Sequence, residues 1–392
     1  MRAHVYPLDL VRFFAALSVV SFHLGYYGWA SSASTVGTMW AGATAFPELL
    51  PMTWFGWIGV QIFFVISGFV IANSANGVSP IAFAKSRVLR LFPAVWLCAP
   101  VTLAAWLISG SETTKHLAGE FLRSVTLWIF GPWIDGVYWS LAVELIFYAV
   151  IFVLLLSGQF ARLRLAAWGL LTLSVLYFTA SLLLPNTMSH FGAPWWFVYN
   201  HADVLQLRYG CYFALGIWFW LSSARAMKPL DWLGIAIAVG VCATEIVAAA
   251  SSFLPTHMRE WTPIWWLAPE VIWLSAALLI FVVSRDPERF MPQAPAAREW
   301  FKHVGQMTYP LYLTHSVCGA FIVRNLVHAG ANRWLALAAA VIFALCFAYF
   351  IARLGEPAVR KLLRGLWEKV EAAVRRTPRL AFLFKPGGSA AV

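Results

Sequence analysis

WFGWIGVQIFFVISGFVIANS, residues 54–74, carries no charged side chain, and only Gln61, Asn73 and its two serines interrupt an apolar and aromatic run. A helix of that length rises about 30 Å, which matches the hydrocarbon core of a bilayer. A soluble helix of this length would carry a polar stripe facing water, and this one has none. Similar runs recur on both sides of it, near residues 8–28, 91–109, 138–157, 165–184, 204–222, 231–253, 263–283, 307–328 and 334–353. The expectation is an all-α, polytopic integral membrane protein with about ten transmembrane helices. Residues 120–134 are too short and too broken by Gly and Pro to span, and read as re-entrant or interfacial.

Composition agrees with that reading. The chain of 392 residues is 61% hydrophobic and 11% charged, and it contains 22 Trp, a residue favoured at membrane interfaces. A soluble domain has roughly a quarter of its residues charged. The net charge of +11 would suggest nucleic acid in a soluble protein. Here the cations sit in short loops and in the tail, so no nucleic-acid partner is expected and membrane lipids are.

Lys85, Arg87 and Arg90, then Arg162 and Arg164, Arg225 and Lys228, and Arg285, Arg289, Arg298 and Lys302 fall in loops on one side. The opposite loops hold only Lys115, Arg123, Arg259 and Arg333. The positive-inside rule places the first set, both termini and the basic tail in the cytoplasm. Residues 1–355 read as the transmembrane domain and 356–392 as a basic amphipathic tail on the inner leaflet. Asp9 and Arg12 interrupt the first apolar run, which reads as a retained helix rather than a cleaved signal. The five cysteines lack metal or disulfide spacing, so no metal site is expected.

Charged and titratable side chains inside spans are costly and therefore mark function. Arg12 and His23 are eleven residues apart, which returns them to one helix face, roughly 16 Å apart along the axis. Glu144 should lie about 9 Å below the outer face and His23 about 8 Å below it, so the two can meet. A carboxylate on Nδ1 of His23 would leave Nε2 free to take a proton from a hydroxyl. The alternative partner for Glu144 is Arg208. Ser67-Gly68 permits close approach by a ligand or by another helix. Arg87 and Arg90, one turn apart at the inner surface, suit phosphate groups as well as marking topology. Tyr309-Pro310-Leu311-Tyr312-Leu313-Thr314-His315 puts His315 about 12 Å from the inner face. Glu245 and Glu270 are further buried acids with no assigned role.

These stretches together resemble the acyltransferase-3 family of bacterial membrane O-acyltransferases. The resemblance rests on Leu8-Asp9 through Arg12 with His23, on Phe63 to Phe69, on Arg87 to Arg90 with Phe92-Pro93, and on Tyr138-Trp139-Ser140-Leu141 with Glu144. Tyr309 to His315 and Glu356-Pro357 complete it, in family order from residue 8 to about residue 360. It implies transfer of an acyl group, often acetyl, from cytoplasmic acyl-CoA as co-substrate to a hydroxyl of a carbohydrate or glycosylated acceptor, at the bacterial inner membrane. No tightly bound cofactor is implied.

By motif match His23 is the catalytic histidine, and Arg12, Arg87 and Arg90 are essential basic residues near the donor; Glu144 is the second catalytic candidate, from its matching depth. Ser67 and Gly68 are donor-site candidates, and Trp139, Ser140, Tyr309 and His315 are substrate-site candidates. Many members carry an acid where this chain has Gln61. No stretch reads as the extracytoplasmic hydrolase-like domain of some members, so acceptor handling is expected within the membrane domain. His23 can serve as general base or as a transient acyl carrier. The rival class is a proton-coupled permease, which also buries His, Glu and Arg but usually carries internal repeats.

Overall fold

A computed structural model describes residues 5–183, 201–254 and 264–386. Every regular element in them is helical. The main helices are α1 (Tyr6–Phe22), α2 (Ile58–Ala75), α3 (Pro80–Ser109), α4 (Thr114–Val125), α5 (Tyr138–Leu156) and α6 (Leu163–Leu183). They continue as α7 (Gly210–Ser223), α8 (Pro229–Phe253), α9 (Ile264–Arg285), α10 (Pro295–His328), α11 (Arg333–Phe350) and α12 (Glu356–Arg375).

Among the described residues, 8 helical stretches have the length and apolar composition to cross a bilayer. The chain is thus an all-α multi-pass membrane protein. The predicted spans 204–222 and 307–328 are not among those stretches, and both depart for a physical reason. Residues 201–209 form turns, so the first shortens to the 14 residues of α7, which is buried from Gly210 through Ser222. The second is the inner part of α10, a 34-residue helix with Thr308, Thr314, His315 and Ser316 all buried. Helix α10 packs against α1, α3 and α11. Protein rather than lipid surrounds it there, and that is where membrane proteins place polar side chains.

Two glycines let the central helices close up. A Cβ on Gly68 would lie 2.4 Å from Phe213 O, and one on Gly216 would lie 2.2 Å from Val65 O, so α2 and α7 cross backbone to backbone. The end of α1 widens into a π-turn at His23–Tyr27, where the Gly28 N–H bonds His23 O. Such widenings recur at functional sites because they re-aim the side chains around them.

The segment expected to be re-entrant or interfacial forms the short helix α4 and an irregular stretch behind it. Trp96 Nε1 donates to Val125 O at 3.0 Å, and the Ile134 N–H donates to Ser124 Oγ at 2.9 Å. Helix α12 follows α11 through a second π-turn, Ile351–Gly355, and lies against α3. Arg360 Nε bonds Leu89 O at 3.1 Å and Lys85 pairs with Glu371 at 3.5 Å, so the start of the basic tail docks on the bundle. Arg259, counted above among the outer-loop cations, lies outside the described residues.

Candidate active site

Two cavities within the bundle share part of their lining. The first, of about 460 Å³, is lined by Arg12 from α1, Arg87 and Arg90 from α3, and Arg360 and Arg364 from α12. Glu144 lines it as well. Aromatic faces hold two of the guanidiniums. Arg87 sits 5.4 Å from the Phe83 ring centroid and 5.5 Å from that of Tyr148, while Arg90 sits 5.7 Å from that of Tyr309. The chamber therefore offers several fork-shaped donors to an anion, the arrangement that suits phosphate.

The second cavity, of about 440 Å³, is lined by His23, Gln61, Asp203 and Arg208 among the aromatic side chains of Phe22, Tyr27, Trp57, Trp139, Tyr209 and Phe253. Its cation is neutralised. Arg208 Nε bonds Glu245 Oε1 at 2.8 Å and lies within 3.9 Å of Asp203. Fully buried Glu245 also accepts from the Tyr212 hydroxyl at 2.7 Å and from Gln61 Nε2 at 3.2 Å. That is the role the sequence left unassigned for Glu245, and it holds α2, α7 and α8 together at one side of the cavity. Val60 and Tyr312 line both chambers. They form the seam.

Arg12 lines one cavity and His23 the other. The predicted meeting of Glu144 with His23 does not occur. Glu144 Oε1 instead accepts from Ser67 Oγ at 2.8 Å and from the Tyr148 hydroxyl at 2.6 Å. His23 Nδ1 bonds His315 Nε2 at 2.9 Å. Matching depths along two helix axes do not fix which way the side chains point, and Glu144 faces the basic chamber. Nor does Glu144 take Arg208, which belongs to Glu245.

The remaining candidates divide. Ser67, Ser140 and Tyr309 line the basic cavity, and Trp139 lines the aromatic one. Ser140 Oγ lies 2.7 Å from the Tyr312 hydroxyl, which stiffens the seam. Gly68, expected near the donor, packs on Phe213 of α7, because the small side that would admit a ligand is used to admit a helix. His315, expected to touch substrate, is fully buried and lies behind His23.

Arg360, Arg364, Tyr148 and Tyr312 were not singled out from the sequence. Tyr148 could have been, because it stands one turn beyond Glu144 on the same helix. Arg360 and Arg364 share that spacing but read as part of a basic tail.

Comparison with known proteins identifies the family. A family model described as an acyltransferase domain matches residues 5–353. A putative membrane-bound transacylase, BcsY, of Komagataeibacter xylinus is 26% identical over 285 residues, covering 66% of this chain and 65% of that protein. Nodulation protein 10 of Rhizobium leguminosarum bv. viciae is 29% identical over 174 residues, or 39% of this chain and 44% of its own length. A putative peptidoglycan O-acetyltransferase, YrhL, of Bacillus subtilis (strain 168) is 27% identical over 340 residues, or 79% of this chain and 47% of its own. The matched regions thus span 44% to 65% of these relatives' lengths. No solved structure matches the chain. With the family match running from the start of α1 to the end of α11, the chain belongs to the acyltransferase-3 family of membrane acyltransferases.

Proposed function

We propose that this protein transfers an acyl group, acetyl in the simplest case, from acyl-CoA to a hydroxyl of a carbohydrate or glycosylated acceptor. The observation that carries the proposal is the pair of unlike cavities sharing Val60 and Tyr312, with His23 facing the aromatic one. The phosphates of the donor lie against Arg87, Arg90, Arg360 and Arg364, and its thioester points along α1 toward the seam. The acceptor enters the other chamber, where aromatic faces stack on sugar rings and the paired Arg208, Asp203 and Gln61 bind hydroxyls.

His23 acts as general base. Its Nε2 takes the hydroxyl proton while the oxygen attacks the thioester carbonyl; the C–S bond breaks, and the departing thiolate takes the proton from the imidazolium. Glu144 orients Ser67 and Tyr148 and offsets part of the positive charge of the donor chamber. On this reading the protein sits in the bacterial inner membrane with both termini and the basic chamber facing the cytoplasm, which the asymmetry of the loop cations supports.

Two measurements test the proposal. Mass spectrometry of surface glycans from cells with and without the gene should reveal an acyl mass that disappears with it, and identical spectra would count against transfer to a glycan. Reporter fusions after Gly110 should read outside and after Ala224 inside; the reverse pattern would put the arginines on the wrong side for acyl-CoA.

A further inference from the structure

The bond between two histidines, one facing the acceptor chamber and one behind it, has a direction that can be worked out. His315 lies at full burial in α10, and its Nδ1 is 2.9 Å from Tyr312 O and 3.1 Å from Leu311 O. Both neighbours are carbonyl oxygens and can only accept, so Nδ1 of His315 carries the proton. In the neutral ring its Nε2 then presents a lone pair. That lone pair faces His23 Nδ1 at 2.9 Å, so Nδ1 of His23 is the donor and carries the proton of the second ring. Nε2 of His23 is left unprotonated. The ring that carries it lines the aromatic cavity.

The geometry points to His315 as the positioning residue that locks His23 in the tautomer able to accept a proton. The inference rests on the proposed transfer reaction and adds the element that sets the state of its base. Two backbone carbonyls of one turn of α10 thus fix, through two rings in series, which nitrogen meets the acceptor. The arrangement does what a carboxylate does for many catalytic histidines, but without burying a second charge beside the imidazole. The ring planes, tilted by 48° with centroids 5.0 Å apart, meet through their edges rather than by stacking, as this bond requires. The π-turn that begins at His23 supplies the aim, and Gly28 makes room for it. A Cβ there would lie 2.6 Å from Trp40 Cε3, so the widened turn seats closely on that indole.

The test uses full-length protein labelled with ¹⁵N-histidine in lipid nanodiscs, with the His23 signals assigned by their loss in His23→Ala. Wild type should present His23 with Nδ1 protonated and Nε2 bare. In His315→Phe the acceptor is gone, and His23 should move toward the Nε2–H form that a free imidazole prefers. Acylation of surface glycans in cells carrying that variant should drop about a hundredfold. His315→Gln places an amide oxygen near the lost nitrogen, and should keep the wild-type tautomer and acylation within about tenfold.

A wild-type His23 protonated on Nε2, or a His315→Phe protein whose His23 signals and transfer match wild type, overturns the inference. If the tautomer shifts as expected but His23→Ala still acylates glycans, the lock stands and the transfer role of His23 falls. If His23→Ala abolishes acylation while His315→Phe leaves it intact, the transfer reading stands and the lock falls.

Discussion

The two chambers are built from the same bundle yet treat charge in opposite ways. In the aromatic chamber Arg208 is bound by Glu245 and flanked by Asp203, and the acid is itself held by Tyr212 and Gln61. In the basic chamber Arg12, Arg87, Arg90 and Arg364 form no ion pair among the described residues, and only Arg360 does, with Glu356 at 2.7 Å. A cation neutralised by the protein stiffens a wall. Guanidiniums outside a close ion pair keep N–H donors available to an anion. On the proposed reading, that contrast separates the chamber of a polyphosphate donor from that of a neutral polyhydroxyl acceptor.

The comparison is most easily broken at His23, which lines the aromatic chamber. His23→Ala should lower transfer by about 10²- to 10⁴-fold, because general-base catalysis acts in the transition state. Calorimetry should find acyl-CoA bound about as tightly as in wild type. A large loss of donor affinity would mean that the chambers are not functionally distinct.

Next in size are Arg87→Ala and Arg90→Ala. Each removes charge-assisted bonds of about 1.5–3 kcal/mol, so donor affinity should fall about tenfold or more. Unchanged calorimetric affinity in the double variant would assign these arginines to lipid phosphate and strengthen the permease alternative.

Gly68→Val tests a packing role against a ligand role. The new side chain would be driven into Phe213 O, and the protein should lose about 1–3 kcal/mol of stability, read as a lowered unfolding temperature in detergent. Donor affinity in the surviving folded fraction should be unchanged. A folded, stable Gly68→Val protein that had lost acyl-CoA binding would return Gly68 to the donor site.

The smallest effect belongs to the seam. Tyr312→Phe removes a hydroxyl that meets Ser140 at 2.7 Å and Val137 O at 3.3 Å. The change should cost about 1 kcal/mol, felt as a severalfold loss of turnover, with donor binding affected less. Equal losses on both substrates would mean that Tyr312 orders the two chambers together rather than marking where they meet.

The sequence by itself determined the class of fold, because a charge-free run such as residues 54–74 has no stable place except a bilayer or a buried core, and the chain holds too many of them for one core. It also singled out Arg12, His23, Arg87, Arg90 and Glu144 as candidates, since such side chains are costly inside spans. Periodicity along the first span predicts one face for Arg12 and His23, and the structure puts Arg12 within α1 and His23 at the start of the π-turn that follows it. Pairing between helices was beyond the sequence's reach. Glu144 went to Ser67 and Tyr148 instead of His23, and His315 came to His23 from almost 300 positions away (|i−j| = 292), because rotation about each helix axis is set by packing at points such as Gly68 against Phe213. Arg360 and Arg364 likewise line the basic chamber only because α12 packs on α3. Residue type records the cost of burial, which is local, while partnership depends on how helices distant in sequence rotate and cross, which only the assembled bundle decides.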